Sequence, residues 1–118
     1  MLAISWQPAF CQTHRNKREC RDETPRSLQA RQFSLHGLWP DGCAYEGVPE
    51  AVKQDDMRGR WGDLPAPKLS VETSRKLAEL MPGVKSQLDR HEWIKHGTCY
   101  SKTEETYYRD SLKLMRVI

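Results

Sequence analysis

33-FSLHGLWPDG-42 reads as a strand that runs into a turn. Phe33 and Leu35 would face one side and Ser34 and His36 the other, and Gly37 with the Pro40-Asp41-Gly42 turn would end it. His36 is then either a packed strand histidine with a hydrogen-bond partner or a reactive group set at the end of a strand. A second stretch, 91-HEWIKHGTC-99, separates the two readings. Taken as a helix closed by Gly97, it puts positions 91, 92, 95 and 96 within about 140° of one face. His91, Glu92, Lys95 and His96 would share that side, while Trp93 and Ile94 point elsewhere, into the core. Two imidazoles, a carboxylate and an ammonium on one helical face are hard to explain by packing alone.

Outward from these stretches, Leu2, Ile4 and Trp6 alternate with smaller residues, as in a half-buried strand limited by Pro8. Residues 12–32 are polar and charge-rich and read as an exposed excursion, with His14 in solvent. Residues 43–68 carry glycines and prolines and predict a long loop with a short helix at Glu50–Met57; such loops are often functional. Ser70 is a good N-cap for a helix with a Leu77, Leu80, Met81 stripe that Pro82-Gly83 stops. Thr103 caps a last amphipathic helix, in which Tyr108, Leu112 and Met115 recur at helical spacing. Trp6, Trp61 and Trp93 are expected in the core.

At 118 residues the chain predicts one domain. Charged residues make up 30% and no apolar run approaches a bilayer-spanning length, so disorder and membrane insertion are not expected. A net charge of +3 permits a polyanionic partner without arguing for one. The four cysteines, Cys11, Cys20, Cys43 and Cys99, contain no CxxC pair. Two disulfides formed in an oxidising compartment are expected. Three pairings are possible; closeness in sequence favours Cys11 with Cys20, which leaves Cys43 with Cys99. Export needs a leader, yet Met1–Ile4 lacks a basic start and a long apolar core, so the leader is expected to lie outside this chain.

The residue types suggest a reaction. Near neutral pH two histidines can divide into a neutral base and a protonated acid, and a lysine can meet charge developing in an anionic transition state. Cleavage of a phosphodiester beside a 2′-hydroxyl needs this set and no metal or protein nucleophile; DNA, without the 2′-hydroxyl, would be inert. A zinc site built from His36, His91, His96 and Cys99 is the rival. HEWIKH separates its histidines by five positions, unlike the four of HExxH, so no metal is expected.

HGLWP followed by HEWIKHGTC, each with a cysteine nearby, resembles the two active-site segments of the ribonuclease T2 family. The opening ISWQPAFC is similar to its bacterial periplasmic branch. The resemblance implies an α+β fold, with helices packed on an antiparallel sheet. It implies a cofactor-free endoribonuclease of single-stranded RNA that forms a 2′,3′-cyclic phosphate and then a 3′-phosphate. It implies His36 as general acid, His96 as general base, Glu92 and Lys95 supporting the transition state, and His91 binding phosphate. Trp39 would stack on a base and Asp41 contact one, and a Cys43–Cys99 disulfide would link the two segments. A secreted or periplasmic monomer acting on RNA is expected. Family members usually continue well past the second segment, so the family's C-terminal part is expected to be missing here. The alternative is a catalytically inactive secreted relative, or fragment, that binds RNA or protein.

Overall fold

The alternating N-terminal residues form β1, Leu2–Ser5, which pairs antiparallel with β2, Ser34–Leu38. The computed structural model describes residues 1–21 and 32–117. Between the strands come α1, Gln7–Thr13, with Pro8 in its first turn, and α2, Arg18–Arg21. Proline fits there because the first helical amides have no intrahelical acceptor. The Cys11–Cys20 disulfide ties these two helices together. The expected excursion over 12–32 is thus partly helical, and Glu19 within it is buried; residues 22–31 lie outside the described residues.

The register of the two strands carries the first departure from simple alternation. Ala3 pairs with Gly37, but Ile4 pairs with Leu35, so His36 has no partner in the ladder. This is a β-bulge, which breaks the period of two and re-aims the extra side chain. Ser34 and Leu35 are consequently both buried, and β2 runs through Gly37 to Leu38. Phe33 falls outside the strand and is exposed, packed edge-on against Trp6 at 5.5 Å. Trp6 is therefore a surface residue and not core.

The helix expected at Glu50–Met57 is α3. A single 3-10 turn follows at Trp61–Asp63. α4, Val71–Leu80, starts at Ser70, whose hydroxyl accepts from the Thr73 amide; α7, Glu104–Met115, starts at Thr103, which does the same for Thr106. Glu105 joins the two starts by accepting from the Ser70 amide at 2.9 Å and the Thr73 hydroxyl at 2.7 Å.

Between them α5, Leu88–Glu92, passes through a π-helical turn, Trp93–Gly97, into α6, Thr98–Tyr100. Gly97 does not end this helix, contrary to expectation. It sits at φ −64° inside it, because a Cβ there would collide with the Trp93 and Tyr107 rings.

The core lies where β2 meets α4, α5 and α7: Leu35, Leu38, Leu77, Met81, Leu88, Tyr107, Tyr108, Leu112 and Met115. Trp61 and Trp93 pack against its edge. Tyr107 pins the end of β2, donating to the Leu38 carbonyl at 2.8 Å and accepting from its amide at 3.1 Å. This fixes the backbone immediately before Trp39. The architecture is the expected α+β one, helices on a small antiparallel sheet. Among the described residues no helix is long and apolar enough to cross a membrane.

Candidate active site

The bulge and the π turn converge on one buried carboxyl group. Glu92, 1% exposed, lies between two histidines from different elements. Its Oε1 is 3.6 Å from His36 Nε2 and its Oε2 is 3.9 Å from His96 Nε2. Trp39 Nε1 donates to Glu92 Oε2 at 2.7 Å. The Trp39 ring stacks on His96, with centroids 5.1 Å apart, and meets His36 edge-on at 5.9 Å. One indole face is therefore covered by His96. Gly37 is required beside this group, since a Cβ there would overlap the Glu92 carboxyl and the Trp39 indole nitrogen.

π-type hydrogen bonding lengthens the turn and shifts the phase of the side chains that follow it. The face expected to hold His91, Glu92, Lys95 and His96 together is divided between two carboxyl groups, although His91 and Glu92 both lie in α5, ahead of this turn. Glu92 and His96 meet His36. His91 turns toward α3, where its Nδ1 lies 2.7 Å from Asp56 Oδ1, and its ring stacks on Trp61 at 4.4 Å and 12°. Both halves still belong to one site: His91 and His36 line the same cleft, of about 190 Å³, with Phe10, Lys17, Trp61 and Leu88.

Burial sets the charge of the group. Desolvation pushes the Glu92 carboxyl up to about 8, against the opposing pull of the Trp39 hydrogen bond and the Lys95 charge. Desolvation, then the Lys95 charge, pushes His96 down to about 4. His36 is lowered as well, by burial first and then by His91 and Lys17. Around neutrality the cluster thus holds a proton on the carboxyl group between two neutral imidazoles. His96 Nδ1 is buried without a partner among the described residues.

Cys43 and Cys99 form the second disulfide, which ties the turn after β2 to α6. The loop that follows is anchored by the Tyr45 amide, which donates to the Lys95 carbonyl at 2.9 Å. Asp41 is exposed in the turn and makes no hydrogen bond or ion pair among the described residues, so it is not joined to the cluster. Asp56 escaped the sequence reading. It lies 35 positions from His91, and nothing in a charged helix such as EAVKQDDM marks which acid turns inward. Tyr107 escaped too, because the helical stripe was traced through Tyr108.

The Ribonuclease T2 family model matches residues 1–118. The chain is 34% identical over 143 residues to Ribonuclease I of Escherichia coli K12, covering all of this chain and 53% of that protein. It is 34% identical over 125 residues to a probable ribonuclease of Haemophilus influenzae, covering all of this chain and 42% of the relative. It is 28% identical over 128 residues to human Ribonuclease T2, covering 98% and 41%. The chain spans about half the length or less of these curated relatives. With a matching family model along its whole length, the chain belongs to the ribonuclease T2 family.

Proposed function

We propose that this chain carries the catalytic residues of a metal-independent endoribonuclease that cleaves single-stranded RNA by transphosphorylation. The observation that carries the reading is the meeting of His36 and His96 across the buried carboxyl of Glu92. His96, neutral over the physiological range, accepts the proton of the 2′-hydroxyl. O2′ then attacks phosphorus, the bond from phosphorus to O5′ breaks, and His36 gives O5′ its proton. The products are a 2′,3′-cyclic phosphate and a free 5′-hydroxyl. Water then opens the cyclic ester to a 3′-phosphate with the two roles exchanged.

Neutral His36 has to acquire a proton before it can act as the acid. The carboxyl group 3.6 Å away holds one at neutral pH, and an arriving phosphate anion favours its transfer to the imidazole. Lys95 faces the charge that develops on the phosphorane, and His91 contacts a phosphate oxygen. Trp39 stacks on a base, and Asp41 reaches a base from the turn. The two disulfides fit a secreted or periplasmic enzyme; the unit is a single domain acting as a monomer.

The test incubates the oxidised, folded chain with a short RNA and its DNA counterpart in EDTA, alongside His36→Ala and His96→Ala. Cyclic ends from RNA alone, lost in both variants, are expected. Cleavage that survives either substitution would remove that histidine from the mechanism. A folded chain that binds RNA without cutting it would favour a binding relative.

A further inference from the structure

The mechanism leaves the buried Asp56 unused. Asp56 is 2% exposed, and a carboxylate so placed is costly unless its oxygens are satisfied. Both are. Tyr45 donates its hydroxyl to Oδ2 at 2.5 Å, and His91 Nδ1 lies 2.7 Å from Oδ1. The backbone takes part as well, because Trp61 Nε1 donates to the Asp56 carbonyl at 3.2 Å while the Trp61 ring lies flat against His91. Arg90 holds that 3-10 turn against α5 through the Gly62 and Leu64 carbonyls, at 3.0 and 2.9 Å. The His91 ring is thus fixed in position by α5, in plane by Trp61 and in rotation by Asp56. Its other nitrogen, Nε2, makes no hydrogen bond among the described residues, and the His91 side chain lines the same cleft as His36.

A ring nitrogen engaged by a carboxylate carries the proton, which fixes the tautomer and leaves the other nitrogen for the cleft. We propose that Asp56 is a positioning residue, which keeps the proton of His91 on Nδ1 so that Nε2 faces the cleft as the nitrogen that gains a proton and donates it to a substrate phosphate oxygen. This rests on the reading of His91 as the phosphate contact. The charged and titratable groups around the ring are Asp56 from α3, the Tyr45 hydroxyl behind it, His36 from β2, His96 from the π turn, His14 and Glu19 on the wall of the same cleft, and Lys17, whose ammonium sits 5.4 Å above the Trp61 ring. Of these, only Asp56 touches a ring nitrogen of His91.

The test has a spectroscopic arm and a binding arm, and both work whether or not the chain cleaves RNA. Nitrogen-15 spectra of the histidine rings are recorded from pH 5 to 9. In the native chain the Nδ1 of His91 is expected to keep the shift of a protonated nitrogen throughout, with Nε2 alone moving. In Asp56→Asn the neutral ring is expected to become a mixture of tautomers. Affinity is measured for a dinucleotide with 2′-deoxyribose at the scissile position, which cannot be cut. Asp56→Asn and His91→Ala should each weaken it about 10-fold, and the double variant no further than His91→Ala alone. A native neutral form protonated at Nε2 would overturn the proposal, even if Asp56→Asn does not fold. So would additive losses in the double variant, which would mark Asp56 as a structural residue only. Full affinity in His91→Ala would overturn the phosphate contact while leaving the tautomer result intact, so the two failures are distinguishable.

Discussion

Replacing Glu92 by glutamine should make this protein more stable at alkaline pH while stopping its chemistry. The unfolded chain gives up the Glu92 proton near 4.5, the folded chain only near 8. Between those values the native state binds more protons than the unfolded one, so stability falls as pH rises. His96 acts in the opposite sense: folded, it loses its proton near 4, unfolded near 6.5, so its contribution rises over that interval. The two offset one another from about pH 4.5 to 6.5, and above 6.5 the Glu92 loss stands alone. The full displacement from 4.5 to about 8 corresponds to a ceiling on the order of 5 kcal/mol. The part between pH 6.5 and 8 corresponds to about 2 kcal/mol, or about 8 °C in Tm for a chain of this size. Glutamine keeps the acceptor for Trp39 Nε1 but has no proton to lose, so Glu92→Gln should lack the alkaline decline. Urea unfolding of both proteins at half-unit steps from pH 5 to 9 measures it. Parallel profiles would refute the reasoning. A variant less stable at every pH would show instead that the native cluster is an imidazolium–carboxylate pair, whose charge the substitution leaves uncompensated.

Three further outcomes are expected. Lys95→Ala should lower kcat by about 100-fold with a smaller change in KM, because its charge is needed where the phosphorane forms; unchanged kcat with raised KM in steady-state kinetics would assign it to binding. Gly37→Ala should cost about 1–3 kcal/mol and abolish cleavage, since the added methyl displaces the Glu92 carboxyl; thermal melts and an RNA assay read both. Removing the Cys43–Cys99 disulfide, with a sequence separation of 56, should cost about 4 kcal/mol, against about 2.5 kcal/mol for Cys11–Cys20 with a separation of 9. Equal losses in denaturant titrations of the two double-serine variants would show that loop length does not govern them here.

How much of this was legible follows the range of the interactions involved. The helix at Glu50–Met57 and those begun by Ser70 and Thr103 were legible because caps and prolines act within a few residues. The bulge at His36 was not, because it depends on how β1 lies against β2. The π turn was not, because its phase is coupled to packing: Gly97 lets the Trp93 and Tyr107 rings close on the helix, and a rule treating glycine as a stop misreads it. These two irregularities turn a list of candidate residues into a site. A regular strand would keep His36 in the ladder. The three histidines divide between two carboxyl groups, Glu92 for His36 and His96, Asp56 for His91. The histidines could be named from their motifs, but the lowered pKa of His36 and His96 could not, because desolvation depends on which neighbours exclude water. That division is also what the proposed reaction requires. A proton kept on a buried acid between two neutral bases serves transfer, while an imidazole paired with a second carboxylate serves binding.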